Sequence, residues 1–241
     1  MALTTVPDVK SLLGITGTDE DARLAVMVAA ASASVQSYCG RNFESTVYGT
    51  GTTSAYSSGG DSGYYSGDGS RDLILRQRPV TAVASVYQDS TGRFGDNPDG
   101  AFASSTLLVA GTDYVLMWDG QLPGASTRCS YSGILRRLTG VWPASWQYSA
   151  GSINPQFANN TGNIKITYTA GYSTVPSDIQ YAVALVVAQM RRTAIFGGDA
   201  LQSESYENYS YHLGQAKASA QQALQMSDVK SILGHYREIY I

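Results

Sequence analysis

A serine set between glycines and an aspartate is the first group in this chain that could do chemistry. It lies in Gly60-Asp-Ser-Gly63, a sequence typical of the nucleophilic serine of a protease. Such a serine needs a histidine base within hydrogen-bond reach, held by a buried carboxylate. The chain has two histidines, His212 and His235, and both come far downstream, although in those proteases the histidine precedes the serine. We therefore interpret residues 60–63 as a glycine-rich loop.

Patterns for metals and cofactors are equally weak. The two cysteines, Cys39 and Cys129, and the two histidines lack the paired spacing of a zinc site. A calcium-binding turn formed by Asp89, Asp96 and Asp99 is an open alternative, but the spacing of these residues is not that of an EF-hand. No glycine-rich phosphate loop is present. The sequence predicts no catalytic residue, no metal site and no cofactor, so we expect a protein that is not an enzyme and whose cysteines are free thiols.

The composition is poor in charge and rich in tyrosine. Charged residues make up 15% of the 241 residues, against about 25% in ordinary soluble domains. The chain has 17 tyrosines and 25 glycines. Two interpretations stay open: a surface covered by partner subunits, where charges are depleted and aromatics enriched, or a Tyr/Ser/Gly-rich β-region that faces solvent. The net charge of −3 argues against tight binding of nucleic acid.

The start of the chain shows no basic region followed by an apolar run, and the longest apolar run, 182–188, is too short to span a bilayer. We expect a soluble protein that is made in the cytoplasm, without membrane contact.

Both ends of the chain predict helices. The spacing and caps predict a short helix over Pro7–Leu13, a second helix that begins at the N-cap Thr18 and ends at Gly40, and a long central helix after Pro176. Ser177 and Gln180 have the spacing of a capping box. A weaker helix is predicted over 213–226, and 228–234 repeats the amphipathic pattern of 8–14.

The middle of the chain predicts strands, at 73–75, 80–87, 114–118, 134–138 and 164–168. Residues 47–72 contain almost no aliphatic side chains, so we expect a long loop or a loose hairpin that contributes nothing to the core. The fold class is therefore α+β: a helical core built from both chain ends, 1–45 and 173–241, with an inserted β-rich domain at 46–172 that carries long Gly/Ser/Tyr-rich loops.

Several motifs, in order along the chain, resemble the head–tail connector (adaptor) proteins of tailed bacteriophages. They are Leu3-Thr-Thr-Val-Pro-Asp-Val-Lys-Ser-Leu-Leu-Gly-Ile15, Ser37-Tyr-Cys-Gly-Arg-Asn-Phe43, Gly69-Ser-Arg-Asp-Leu-Ile-Leu-Arg-Gln-Arg-Pro-Val80, Ile166-Thr-Tyr-Thr-Ala-Gly-Tyr172 with the following Val175-Pro-Ser-Asp-Ile-Gln180, and Val229-Lys-Ser-Ile-Leu-Gly-His-Tyr-Arg237. Compared with the shorter members of that family, this chain has additional residues at 49–70, 88–112 and 119–160.

The resemblance implies a virion protein of the neck between capsid and tail. It implies a ring, with a dodecamer expected, that binds the portal protein on one side and a stopper or tail-terminator protein on the other. Double-stranded DNA would pass through the ring without tight sequence-specific binding. A slightly acidic, charge-poor subunit suits such a channel, and a closed ring consumes two different surfaces of each subunit.

Two groups of residues are candidate contact sites. The apolar chain end, Tyr236, Ile239, Tyr240 and Ile241, is expected to bind the portal, because a free terminus is normally polar; packing back onto its own subunit is the alternative. Arg191 and Arg192, at the end of the long helix, are candidates for a subunit contact or the channel. The alternative for the arginines is an ordinary helix end whose dipole favours cations.

Two other functions stay open. The first is a stopper or tail-completion protein of the same neck. The second, from another class, is a carbohydrate-binding or host-recognition module in which Trp118, Trp142 and Trp146 provide aromatic surfaces.

Overall fold

The computed structural model describes eight segments of the chain: 2–50, 62–88, 102–123, 126–143, 162–195, 203–206, 209–212 and 223–237. Helices and several antiparallel sheets occur together, so the predicted α+β class is confirmed. The chain forms two compact units. Unit 1 comprises Met1–Phe43 and Val175–Ile241, and unit 2 comprises Glu44–Thr174.

Unit 1 is built around its longest apolar helix. Its described helices are α1 (Val6–Leu13), α2 (Asp21–Cys39), α3 (Ser177–Ile195) and α4 (Ser227–Gly234). Helix α3 packs against each of the other three. Ile179, Val183 and Val187 on its apolar face are completely buried, as the helical spacing of these residues predicts. The expectation that this helix lies at the centre is thus confirmed for unit 1.

The helix starts differ in part from those predicted. Thr5 caps α1 by accepting a hydrogen bond from the Asp8 amide. Thr18 does not cap α2, since that helix begins at Asp21 with Glu20 at the N-cap position and no side-chain cap. The capping box at Ser177 is also wrong, because the Gln180 amide donates to the Val175 carbonyl at 2.8 Å instead. The Gln180 side chain thus has a partner that the sequence spacing does not show.

Unit 2 is organised around one strand. The strands of its main sheet are β1 (Thr46–Tyr48), β2 (Tyr64–Tyr65), β4 (Val80–Gln88) and β9 (Ile164–Ala170). Strand β9 pairs antiparallel with β4 on one side, and with β1 and β2, one after the other, on the opposite side. Its alternate residues Ile164, Ile166 and Tyr168 are completely buried. The period-2 pattern of this segment therefore predicted both the strand and its inward face.

The expectation that residues 47–72 stay out of the core is wrong for their tyrosines. Tyr48, Tyr64 and Tyr65 are buried. The hydroxyls of Tyr65 and Tyr168 lie 3.1 Å apart, and the Gln77 amide donates to the Tyr168 hydroxyl at 3.1 Å. A tyrosine can fill a core when its hydroxyl finds a partner, which a count of aliphatic residues overlooks.

The second sheet of unit 2 consists of β3 (Asp72–Ile74), β8 (Ile134–Arg137) and β5 (Tyr114–Leu116), with β8 in the middle. Two short antiparallel pairs complete the described strands: β6 (Gly120–Gln121) with β7 (Arg128–Cys129), and, in unit 1, β10 (Ser203–Tyr206) with β11 (Tyr209–His212). The strands predicted at 73–75, 80–87, 114–118, 134–138 and 164–168 are all present. The helix predicted over 213–226 falls mostly outside the described residues, which resume at Ala223.

Two glycines allow β1 and β2 to line up against β9. Gly49 ends β1 and Gly63 precedes β2, and both have φ of +77°. The Ile166 amide donates to the Gly63 carbonyl at 2.8 Å, and the Thr167 hydroxyl donates to the Gly49 carbonyl at 3.0 Å. A Cβ on Gly63 would overlap the Gly49 Cα and the Ile166 carbonyl oxygen. No larger residue fits here without moving backbone.

Replacing Gly63 with Ala is therefore expected to destabilise the protein strongly. The left-handed backbone costs any L-residue about 1–2 kcal/mol, and the overlap with backbone atoms should raise the total to about 3 kcal/mol or more. Gly111→Ala is the matched control, because Gly111 has φ of +80° in the same unit but open space around its Cβ position. Urea denaturation measures both variants. Equal losses of unfolding free energy in the two would contradict the role of close packing.

Candidate functional site

The C-terminal segment is held against unit 1 at Tyr236. Its hydroxyl donates to the Asp178 carboxylate at 2.7 Å, and its ring meets the buried Phe43 ring edge-on, with centroids 5.7 Å apart. Tyr236 follows directly after α4, which ends at Gly234. Ile239, Tyr240 and Ile241 lie outside the described residues. Of the candidate portal anchor, the structure thus shows one residue, and that residue is engaged with its own subunit.

Arg191 on α3 forms a bidentate ion pair with Glu20. The Arg191 Nε and Nη2 atoms donate to the two Glu20 carboxylate oxygens at 2.7 and 3.0 Å. These hydrogen bonds lower the pKa of Glu20. Arg192 is exposed in the last turn of the same helix. Arg191 therefore joins α3 to the start of α2, while Arg192 points its charge into solvent.

Helix α2 leaves a charge-free face uncovered in unit 1. We call it the α2 exposed face; its members from Ala25 onward are small or apolar, and Val26 is 70% exposed. They are Ala25, Val26, Ala29, Ala30 and Ala33. At its C-terminal end this face adjoins an open groove of about 530 Å³, lined by residues of α2 and by Leu224 and Gln225. Ala31 and Ser32 are buried on the opposite side of the helix, whereas no described segment of unit 1 covers Ala29, Ala30 and Ala33.

The three-stranded sheet of unit 2 also has an uncovered apolar side. Inward residues such as Leu73, Leu116 and Leu135 are buried, so the alternate residues point outward. We call this side the outer sheet face; it contains Ile74 (59% exposed), Met117 (37%) and Leu138 (42%), with the half-buried Val115 and Ile134. A bidentate ion pair between Asp72 and Arg136, with both bonds at 2.6 Å, lies within it. The face carries no net charge.

The tryptophans do not form one aromatic surface. Trp142 is completely buried, and its Nε1 donates to the Leu135 carbonyl at 3.1 Å. Trp118 is 41% exposed and lies 5.8 Å from the Arg128 guanidinium. Trp146 lies outside the described residues. Trp142 is therefore a core residue, and it cannot stack on a sugar as the carbohydrate-binding hypothesis supposed.

The described residues include only part of the sequence that suggested catalysis. Gly60 and Asp61 lie outside them, while Gly63 serves the packing of β1 and β2. His212 lies on β11 in unit 1, and Ser62 belongs to unit 2.

Cys39 and Cys129 are free and buried, as predicted for free thiols, and burial raises the pKa of Cys39 to about 11. In the described segments no group of three or more His, Cys, Asp or Glu could hold a metal ion. Asp89, Asp96 and Asp99 lie outside these segments.

Within the described part of the chain, none of the helices has the length and apolar character needed to cross a membrane.

The two uncovered faces were only partly foreseeable. The low charge content indicated a covered surface but not its place. For the outer sheet face a signal was available: Ile74, Ile134 and Leu138 occupy the outward positions of strands that the sequence predicts. An apolar residue at an outward position is unusual enough to mark a contact surface. Which side of this sheet points outward, however, became clear only from the burial of its residues in the structure.

Replacing Glu20 with Gln should lower the unfolding free energy in a pH-dependent manner. Arg191 lowers the pKa of Glu20 below its usual 4.5, so the pair stabilises the folded state fully above that value. This contribution disappears as the pH falls through the lowered folded-state pKa. Urea denaturation should show a constant difference between wild type and E20Q near neutral pH, and a smaller one below about pH 4.5.

Asp19→Asn is the matched control, because Asp19 is an exposed neighbour that forms no ion pair with Arg191 in the structure. If the E20Q difference is the same at about pH 7 and about pH 3, the ion pair does not stabilise the fold as the linkage relation requires.

Comparison with known proteins gives one family match. The family model of head completion proteins matches residues 2–103. Among solved structures, the chain is similar to a protein in the virion of a native gene transfer agent particle (TM-score 0.49, 17% identity, 99% of this chain and 91% of that chain). A chain in the neck of the empty particle, computed with C6 symmetry, has a TM-score of 0.47 at 17% identity, with coverage of 99% and 91%. No curated protein matches significantly. The family match confirms the resemblance to phage head–tail connector proteins that the sequence motifs indicated.

Proposed function

We propose that this protein is a structural subunit of the virion neck, where it forms the adaptor ring between the capsid portal and the tail. The observation that carries the proposal is the match of residues 2–103 to head completion proteins. That region includes α1 and α2, and with them the α2 exposed face. The proposed role is assembly and not catalysis.

A ring requires two different contact surfaces on each subunit, because a head-to-tail interface pairs one patch with another. The α2 exposed face and the outer sheet face meet this requirement. Both are apolar and carry no net charge, and each lies on a separate unit. Monomeric proteins rarely leave contiguous apolar surface of this kind uncovered. We infer that a second copy of the chain covers them, with one face of each subunit meeting the other face of the next.

Passage of double-stranded DNA suits the charge of the subunit. Proteins that hold DNA tightly place many lysines and arginines against the phosphates. Here the net charge is −3, and Arg191 and Arg136 are neutralised by Glu20 and Asp72. Arg192 has no ion pair in the described structure and remains the candidate for a channel or subunit contact. A ring whose subunits carry a small net negative charge would let DNA slide.

The portal contact is proposed for the chain end beyond Tyr236. Tyr236 itself is fixed by Asp178 and Phe43. Ile239, Tyr240 and Ile241 then follow as an apolar segment that can bind a partner. The stopper or tail-terminator protein is the proposed partner on the opposite side of the ring.

The partner distinguishes the adaptor from the other neck proteins. Purified chain is mixed with portal rings, and separately with tail-terminator protein, and masses are measured by mass photometry. Binding of about twelve copies to the portal supports an adaptor ring, as the resemblance implies. Binding only to a preformed adaptor ring supports the stopper alternative. Binding to neither portal nor adaptor contradicts a role in the neck.

Deleting residues 239–241 is expected to abolish binding to portal rings without changing the unfolding free energy of the free chain. Tyr236 and its contacts remain in this variant, so the helical unit keeps its own packing. Tyr236→Phe is the matched variant: it loses one hydrogen bond, worth about 0.5–1.5 kcal/mol, and should still bind the portal. Unchanged portal binding by the deletion variant would rule out the anchor.

Replacing Ile74 with Lys should prevent self-assembly on the portal while the free chain stays folded. A lysine in a contact face must lose its water, and no anion in the described face is free to receive it. Val109→Lys is the control, since Val109 is similarly exposed (57% against 59% for Ile74) but lies outside the outer sheet face. Mass photometry reports assembly and circular dichroism reports folding. Rings that form equally well with both variants would remove the outer sheet face from the interface.

A further inference from the structure

The three-stranded sheet of unit 2 has two edges, β3 and β5, with β8 between them. Among the described residues no strand pairs with the far side of either edge. Only the start of β5 is covered there, where the Gly111 amide donates to the Tyr114 carbonyl at 2.8 Å. An edge strand presents N–H and C=O groups that can pair with another chain. The antiparallel hydrogen-bond pattern shows which residues carry these groups.

On β3 the outward groups belong to Ile74. The Arg137 amide donates to the Arg71 carbonyl at 2.8 Å, and the Leu75 amide donates to the Gly133 carbonyl at 2.9 Å. In an antiparallel pair, residues whose backbone groups face the partner strand alternate with residues whose groups face away. Ile74 therefore turns its N–H and C=O groups away from β8. Its side chain is exposed as well.

On β5 the outward groups belong to Leu116 and to Trp118, which follows the strand. The Met117 amide donates to the Ile134 carbonyl of β8 at 2.9 Å. By the same alternation, the residues before and after Met117 turn their N–H and C=O groups away from β8. The open part of this edge is therefore 116–118.

The two edges also match in their side chains. Ile74 and Met117 lie on either side of Ile134, in one row across the outer sheet face. When Met117 of one copy lies beside Ile74 of the next, this apolar row continues from copy to copy. A shift by one residue would place the two side chains on opposite faces. In this alignment the Ile74 amide can donate to the Leu116 carbonyl, and the Trp118 amide can donate to the Ile74 carbonyl.

Opposite charges flank the two edge strands. Arg71 and Arg76 flank β3, whereas the residues that flank β5 are Asp113 and Asp119. The acid within β3, Asp72, is already neutralised inside the sheet. With Ile74 beside Met117, Arg76 of one copy lies opposite Asp119 of the next, and both side chains are exposed. Such complementarity favours the pairing of unlike edges over the pairing of like edges.

We propose that neighbouring copies in the assembled ring join their three-stranded sheets edge to edge, with β3 of one copy parallel to β5 of the next. Both strands run antiparallel to β8, so they are parallel to each other within one copy. The rotation between neighbours in a ring of many copies is small and nearly preserves this direction. A closed ring then leaves no edge of this sheet exposed. The inference rests on the proposed ring and adds main-chain pairing to its apolar contacts.

A disulfide between Ile74→Cys in one copy and Met117→Cys in another tests the pairing. Within one copy β8 separates the two positions by about 10 Å, which is too far for a disulfide. Across the proposed contact they are about 5 Å apart. Full-length I74C and M117C chains are mixed, alone at high concentration and with portal rings, and then oxidised. We expect a disulfide-linked heterodimer of the two variants, measured by mass under non-reducing conditions.

Val47→Cys is the matched control for I74C, because Val47 is similarly exposed but lies on β1 in the other sheet of unit 2. Wild-type chain, whose Cys39 and Cys129 are completely buried, controls for the native thiols. The pairing is overturned if no I74C–M117C heterodimer forms in either condition, if V47C links to M117C equally well, or if homodimers predominate.

Portal binding by the same mixture is measured separately by mass photometry. Rings that form on the portal without the cross-link reject the edge pairing and leave the adaptor role intact. A cross-link without portal binding rejects the adaptor role and retains the edge pairing.

Amide hydrogen exchange in the linked heterodimer distinguishes paired strands from mere proximity. The Trp118 amide of a nitrogen-15-labelled M117C chain gains an acceptor, so it should exchange about tenfold more slowly in the heterodimer than in the free chain. The amide of Thr127, an exposed residue outside the proposed contact, should be unaffected. Unchanged exchange at Trp118 would show that the copies touch without main-chain hydrogen bonds and would overturn the proposal.

Discussion

The double pairing of strand β9 is the constraint on which unit 2 depends. This strand receives β4 along one side and both β1 and β2 along the other, so three segments that precede it in the chain meet on it. Its inward Tyr168 carries a hydroxyl into the core, where it meets the Tyr65 hydroxyl and the Gln77 amide. A buried hydroxyl without such partners would cost about 1–3 kcal/mol. Tyr65 is therefore a required part of the core, because it both fills space and provides a partner for the Tyr168 hydroxyl.

The alternation of residues along the strands bears on the low charge of the surface. Each small sheet must place its alternate residues on opposite sides, and in the sheet of β3, β8 and β5 both sides carry apolar residues. A sheet that stays exposed to water normally has a polar outer side. The outer sheet face instead retains Ile74, Met117 and Leu138, with a self-neutralised ion pair. In unit 1 the α2 exposed face likewise contains no charged residue. These surfaces explain the low charged fraction of the composition better than a β-region adapted to water does.

Prediction from the sequence succeeded where one residue pattern has one structural solution. Ile164, Ile166 and Tyr168 alternate with polar residues, and only a half-buried strand satisfies that spacing. Ile179, Val183 and Val187 fit one side of a helix, and they are buried as expected. Prediction failed where a polar side chain had a choice of partner. Glu20 reaches Arg191, which is 171 positions away in the chain, and Gln180 turns to the Val175 carbonyl. The local spacing of residues cannot reveal a hydrogen-bond or ion-pair partner that only folding brings close.

By itself the sequence determined the helices and strands, the α+β class and the resemblance to head–tail connector proteins, because these depend on periodicity, caps and ordered motifs that are local in the chain. Only the tertiary structure decided which side of each element is covered. It buried Arg137 while exposing Ile74, although period and composition alone would favour the reverse, and it removed Trp142 from the surface. Burial is a property of what packs against a residue, and those neighbours come from distant segments. The uncovered faces of this protein are consequently a product of the fold.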